Sequence, residues 1–295
     1  MTAVALLHPG VSPGAIVPFQ RACPGLRAVS SLEDGAGDIS AAVIFGGDGT
    51  VHRYLPGLHA RRIPMLVAPV GSGNDFARTL GIRSVAVSLM AWQQFCGGAK
   101  NIRHIDLGVI RRLTACSAGL PASAEVREAE TLFCCVAGAG LDAETNARAN
   151  RMPAWLRRRG GYVVAALQAL AAGRQAEFTL QADGSEIRRT GWFVAAGNAS
   201  RYGGGMKIAP RARLDDGVLD ICMVGKMGKI KLLCALPSLS FGAHIALREV
   251  EYFPARRITV EASRPLEVFA DGEPAGRTPI EICLKPQALE VIVPM

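Results

Sequence analysis

No long hydrophobic run, no CxxC pair and no internal repeat occurs in this sequence. Its 8 cysteines are scattered, and the adjacent pair Cys134 and Cys135 sits inside the apolar run LFCCVAG. Such thiols are expected to be buried and reduced, as in a cytosolic protein, and not to form a disulfide or zinc framework. The stretch MTAVALLHPG has neither the basic start nor the length of a signal peptide, so the chain is expected in the cytoplasm. The longest apolar tract, residues 232–247 (LLCALPSLSFGAHIAL), is broken by Pro237, Gly242 and His244. It falls short of the ~20 residues that cross a bilayer, so no transmembrane segment is expected and any membrane contact would be peripheral, at the inner face. No low-complexity tract is long enough to read as disorder.

What remains is an ordinary globular composition. With 295 residues and 49% hydrophobic content, one large or two medium domains can bury a sizeable core. The net charge of +8 points to an anionic partner such as a phosphate, a nucleotide, an acidic lipid or a nucleic acid.

The first third alternates apolar strands (AVALL, AAVIF, MLVAP) with helical stretches after Thr50, after Asn74 and over residues 84–95, which predicts a parallel sheet with crossover helices. From KNIRHIDLGVI onward, extended segments dominate: LFCCVAG, EFTLQADG, GWFVAAGN, VLDICMV, RITVEA, LEVFADGE, IEICL and LEVIVP. The spacing predicts a nucleotide-binding α/β domain over residues 1–103 and a β-rich domain over residues 104–295, the latter interrupted by helices around PAWLRRRGGYVVAALQALAAG and GKIKLLCALPSL.

The chemistry-bearing stretches begin with GGDGT, residues 46–50. Glycines without a Cβ let backbone N–H groups close on phosphate oxygens, and a helix starting there aims its positive end at the same place. There is no Walker lysine, and the plain alternative is a tight strand-to-helix turn with Asp48 as a cap. The second turn, PVGSGNDFARTLG, repeats the design after the next strand, with Ser72 between Gly71 and Gly73, and Asn74 and Asp75 expected to cap a short helix. Two such turns at neighbouring parallel strand ends face one crevice, the usual ligand position in open α/β sheets. In RARLDDGVLD, two carboxylates and a glycine precede a strand, which suits a hard divalent cation or a plain Asp-Gly hairpin. In FADGEP a hairpin turn accounts for Asp271 and Gly272 but leaves Glu273 unexplained.

GGDGT, PVGSGNDFAR, HIDLG, GNASRYGGGMKIAPRARLDDGVLD and FADGEP, in that order, resemble the diacylglycerol kinase catalytic family, which includes bacterial soluble lipid kinases and is similar to sphingosine and ceramide kinases. The resemblance runs from Val43 onward. It implies an NAD-kinase-like α/β domain followed by a β-sandwich-like domain, with ATP in the cleft between them and γ-phosphoryl transfer to a lipid hydroxyl such as that of diacylglycerol. It further implies Glu273 as proton acceptor, with Asp271 as the second candidate. Asp48 and Asp106 would be the carboxylates that hold the catalytic Mg²⁺ on ATP, and a structural Mg²⁺ would take the Asp216 side chain and the main-chain carbonyls of Arg213 and Val218. Gly47, Asp48, Gly49, Thr50, Val51, His52 and Arg53 would form the phosphate-side loop, with Ser72 as a hydroxyl contact.

The sequence departs from the family in two places. GDGT-x-N-E becomes GDGTVHRYL, so His52 and Arg53 reverse the local charge. The stretch before GGDG is short, with His8 and Pro9 where Asn-Pro is usual, so a helix and a strand between residues 11 and 40 are expected to be shortened or absent. The basic stretch of residues 146–170, with Arg148, Arg151, Arg157, Arg158 and Arg159 beside Trp155, suits either an anionic membrane surface or a solvated helix face. It lacks the stacking platform expected of a nucleic-acid partner. An NAD kinase-like enzyme, or a catalytically impaired family member that binds nucleotide or lipid, are the alternatives.

Overall fold

The computed structural model describes residues 2–34, 38–113, 130–153 and 162–295. Strands β1 (Ala3–Leu7), β2 (Leu26–Val29), β3 (Ala41–Gly46) and β4 (Met65–Pro69) pair in parallel in the order β4-β3-β1-β2. Every residue of β3 is buried, as expected where helices cover both faces of a parallel sheet. Those helices are α1 (Val17–Ala22), α2 (Asp48–Arg61), the short α3 (Asp75–Thr79) and α4 (Val85–Cys96). The α4 start is fixed by Ser84, whose hydroxyl accepts the Val87 amide. Buried Trp92 on α4 donates its indole N–H to the Phe19 carbonyl of α1 at 3.1 Å, locking the two helices together. The helix and strand expected to be shortened or absent are both present and short, α1 with 6 residues and β2 with 4.

The later strands are β5 (Ile102–Arg112), β6 (Thr131–Phe133), β7 (Val136–Gly140), β8 (Ala176–Ala182), β9 (Ser185–Gly197), β10 (Leu219–Gly225), β11 (Val250–Ala255), β12 (Arg257–Ala262), β13 (Glu267–Ala270), β14 (Glu273–Arg277) and β15 (Ile280–Ile292). All their pairings with one another are antiparallel. They enclose a second apolar core around Phe133, Phe178, Ile221, Ile258 and Ile282, distinct from the core of the parallel sheet. Among the described residues, the α-helices that interrupt this half are α5 (Leu141–Arg151), α6 (Tyr162–Ala172) and α7 (Lys229–Ala235). LFCCVAG, expected as one strand, is two, broken at Cys134 and Cys135. IEICL and LEVIVP are a single strand with a bulge between Lys285 and Leu289.

Strand β15 joins the halves. It pairs with β12 and β5 and meets β4 in parallel at Val291 and Met65. Around it, His59 Nδ1 of α2 lies 2.7 Å from the Ala288 carbonyl, and Asn101 donates to the carbonyls of Ala91 and Val293.

Gly108 on β5 illustrates how the β-rich core constrains sequence: a Cβ there would lie 2.0 Å from the ring of Phe133. The expected cost of Gly108→Ala is about 1–3 kcal/mol of overpacking, read as a lower urea midpoint with an unchanged slope; an unshifted midpoint would refute this contact.

Candidate active site

The two glycine turns meet backbone to backbone. A Cβ on Gly71 would lie 2.6 Å from Gly47 Cα, so neither position accepts a side chain without moving the other turn. Asn74, in the left-handed region at φ 56°, folds its amide back on Gly71, accepting from its N–H at 3.0 Å and donating to its carbonyl at 2.6 Å. Its side chain fixes the turn, but it does not cap α3 as the sequence suggested. The cap comes from Asp48, whose Oδ2 accepts the Asp75 amide at 3.1 Å and whose Oδ1 accepts the Phe76 amide at 3.0 Å. Burial pushes the Asp48 carboxyl above its ordinary range, the two amides oppose that, and nearby Asp271 adds to the rise.

Asp75 is itself buried. Its Oδ2 accepts the Gly204 amide at 2.6 Å, and its Oδ1 has no hydrogen-bond partner among the described residues. Burial raises its pKa and the Asp48 charge adds to that, while the Gly204 amide, Arg78 and Arg201 act in the other direction. Sequence reasoning gave Asp75 only a local capping role. The signal it passed over was the Gly203-Gly204-Gly205 run, quoted within a longer motif and given no partner.

Asp271 and Gly272 form the two-residue hairpin between β13 and β14, both with positive φ (50° and 86°), the geometry that Asp-Gly favours. Asp271 accepts three amides, those of Cys134 at 2.7 Å, Cys135 at 2.8 Å and Val136 at 3.1 Å, and its side chain is only 4% exposed. Glu273, the next residue after the turn, is exposed, and its Oε1 stands 3.0 Å from where a Cβ on Gly49 would be. The free carboxylate thus lies over the first turn of α2, where helix geometry leaves the Asp48 and Gly49 amides without intrahelical acceptors. A negative group is stabilised there.

The remaining loop positions divide. Thr50 packs its side chain on Gly46. Val51 is buried in the core and gives its amide to the Gly47 carbonyl, so the expectation that it faces a phosphate is not met. His52 turns inward, its Nδ1 3.7 Å from Asp271 Oδ2. Burial lowers its pKa, but Asp271 and then Glu273 more than offset this, and the net shift is upward. Arg53 and Ser72 are exposed.

Asp106 sits elsewhere. Its Oδ2 accepts the Gly217 amide and its Oδ1 the Gln287 amide, each at 2.8 Å, and its own N–H donates to Leu214. It therefore braces the turn of residues 213–218 against β15, and its carboxylate bonds reach these two segments and not Asp48. In the same turn Asp216 is exposed and accepts the Val218 amide at 3.3 Å, while Arg213 lies 3.6 Å from Asp215. Asp220, just after it, is pushed up by burial, with Asp216 adding to the rise. Of the arginine cluster, residues 157–159 and Trp155 lie outside the described residues, and Arg148 pairs with Glu144 along α5 at 3.3 Å.

Family comparison fits this arrangement. The model of the diacylglycerol kinase catalytic domain matches residues 13–110, and that of the YegS C-terminal NAD kinase beta sandwich-like domain matches residues 135–293. The diacylglycerol kinase of Mycobacterium tuberculosis (strain H37Rv) is 36% identical over 255 residues, covering 86% of this chain and 77% of its own length. This chain belongs to the diacylglycerol kinase catalytic family. It is a kinase, and its fold is the expected NAD-kinase-like α/β domain with a β-sandwich-like C-terminal part. A solved diacylglycerol kinase from Bacillus anthracis superposes with a TM-score of 0.67 at 19% identity, covering 99% of this chain and 96% of that one. An NAD kinase from Archaeoglobus fulgidus, solved in complex with ATP, gives 0.54 at 14% identity, over 100% and 94% of the two chains.

His52 gives a pH prediction. Its pKa is raised in the folded state, so its stabilising contact is fully present below the unfolded value and is lost as pH rises through the higher folded value. The melting temperature of the wild type should exceed that of His52→Gln most at about pH 6 and the gap should close by about pH 8.5; a gap that widens with pH would refute the Asp271 contact.

Proposed function

We propose that this kinase transfers the γ-phosphoryl group of ATP to the hydroxyl of diacylglycerol or a related lipid alcohol, with Glu273 as the proton acceptor. The observation that carries this reading is the contrast between Asp271 and Glu273. Three amides occupy Asp271, whose side chain is 4% exposed, whereas Glu273 is exposed over the open first turn of α2. A general base needs an accessible lone pair within reach of the attacking hydroxyl, and phosphoryl transfer asks for little else beyond positioning and charge neutralisation. Asp271 then serves as the brace that aims Glu273.

For ATP, the amides of Asp48 and Gly49 at the start of α2 are the natural phosphate donors, with the Ser72 hydroxyl across the glycine contact and exposed Arg53 supplying positive charge. We assign residues 1–103 to the nucleotide and residues 104–295 to the carboxylate arm and the acidic turn.

The residues present fit Mg²⁺. Asp48 uses two of its roughly four acceptor positions on amides and lies beside Asp75, whose Oδ1 accepts no hydrogen bond among the described residues and stands 4.0 Å from Arg78. Mg²⁺ on the nucleotide would neutralise charge on the transferring phosphate. Asp48 would hold it together with the neighbouring Asp75, since both oxygens of Asp106 accept amides of Gly217 and Gln287. In the 213–218 turn, the exposed Asp216 beside buried Asp220 supplies hard oxygen donors for a structural ion, with the carbonyls of Arg213 and Val218 as co-ligands.

One feature favours a second reading, a family member that binds without turnover: His52 places a basic ring among the very acids that would take the proton. Both readings are tested by incubating the protein with γ-labelled ATP, Mg²⁺ and mixed micelles of diacylglycerol, monoacylglycerol, sphingosine, ceramide or phosphatidylglycerol. Label is expected in a glycerolipid, with Glu273→Gln reducing kcat at least ~100-fold at an unchanged melting temperature. Label in none of them, with ATP still bound, would leave the second reading; NADP formed when NAD replaces the lipid would indicate an NAD kinase. For the acidic turn, Asp216→Ala and EDTA treatment should each lower the melting temperature, and the two effects should not add; a normal melting temperature in EDTA counts against an ion there.

A further inference from the structure

The apolar tract of residues 232–247 was too short to span a bilayer, yet the structure does not bury it all. Helix α7 continues directly into a 3₁₀ turn over Leu236–Ser240, and this segment is apolar on two sides. Its inner side, Leu232 and Leu239, is buried against Val224 and Val250. Its outer side displays Ile230 and Phe241, each 81% exposed, with Leu233 at 42% and exposed Pro237 between them. Ile230 and Leu233 share a face of α7, and Pro237 in the 3₁₀ turn and Phe241 just after it continue the run of exposed apolar side chains. A surface helix normally turns polar residues outward, and a contiguous apolar stripe marks an interaction face.

The stripe is held rigidly. The inner leucines keep the segment from rolling over. Gly242, at φ 76°, packs so closely on Pro210 that a Cβ would come within 2.6 Å, which fixes the turn that presents Phe241. Lys207 donates its amide to the Leu239 carbonyl at 2.8 Å. Lys207 follows Gly204, whose amide binds Asp75, so about 11 Å of chain at most separates the stripe's anchor from the active-site carboxylates.

Charge selects the occupant. Lys226, Lys229 and Lys231 flank Ile230, and no acidic residue occurs from Lys226 to Leu247 in the sequence. Lys231 is paired with Glu249, which also takes Arg248, so the margin keeps a positive excess. Apolar residues within a basic rim match an interface of anionic headgroups and acyl chains. We propose that the outer face of residues 230–241 docks this protein on an anionic lipid bilayer, beside the cleft that would receive its lipid substrate. The role of the docked lipid as substrate rests on the kinase reading above, while the docking itself does not.

The test is sedimentation of the full chain with phosphatidylcholine vesicles, with and without phosphatidylglycerol. Wild type should bind the phosphatidylglycerol vesicles. The variant Ile230→Ser/Phe241→Ser should bind them about tenfold less or weaker, with its melting temperature and its phosphorylation of a water-dispersed short-chain diacylglycerol unchanged. Lys226→Glu should weaken binding to anionic vesicles alone. Wild type that does not bind, or a double variant that binds as wild type does, overturns the proposal. So does a double variant that turns a wild-type dimer into a monomer at constant vesicle binding, because the stripe would then belong to a second copy. If vesicle binding falls in the variant but wild type labels no lipid, docking stands and the kinase reading fails.

Discussion

The site depends on one carboxylate doing a backbone's work. Asp48 is half-buried, and drawing a charge out of water is unfavourable unless it is hydrogen-bonded. Its two amide bonds from the start of α3, each worth about 1.5–3 kcal/mol as hydrogen bonds to a charged group, supply that compensation. They also draw the Gly71 turn onto Gly47 until only glycine fits between the two strands' ends. Once α3 is held there, Asp75 has a fixed position from which to take the Gly204 amide, and a third loop joins the cleft. The order of dependence runs from glycine contact to cap to loop.

The same device recurs at Asp271 and at Asp106. In each case both oxygens of a carboxylate accept amides from a distant segment: residues 134–136 for Asp271, Gly217 and Gln287 for Asp106. These acids hold loops in register. Glu273 differs because it is exposed and pairs with no described amide. A site built this way separates rigidity from accessibility: the amide-bonded acids fix the frame, and one carboxylate at the end of a tight hairpin is left exposed.

Much of this was legible in the sequence, but in a particular way. The strands AVALL, AAVIF and MLVAP and the helix after Ser84 follow from local pattern and occur as expected. The motifs also identified the right turns. What local pattern could not carry was the partner of each acid, because Asp48 bonds 27 and 28 residues away and Asp271 up to 137 residues away. That is why Asp106 was grouped with Asp48 and why Asp75 was read as a simple cap. Strands β11 and β14 were missed because Pro254 and Pro274 disguise them, proline being rare within strands. Val51 was misread because a motif names a run of residues, whereas a helix turns each one in a different direction.

Strand β15 has a consequence for how the protein comes to be made. β5 lies between β15 and the three-residue β6, and β4 meets β15 near its C-terminal end, at Val291. During synthesis the parallel half emerges first with β5 still waiting for its main neighbour, an apolar edge open to solvent or to another nascent chain. Contacts between such distant segments close slowly, since the loop must be ordered before the pairing stabilises it. The last long strand is therefore a clasp: until it is in place, the parallel half has no finished border, and newly made chains carry an adhesive seam that later disappears from the surface.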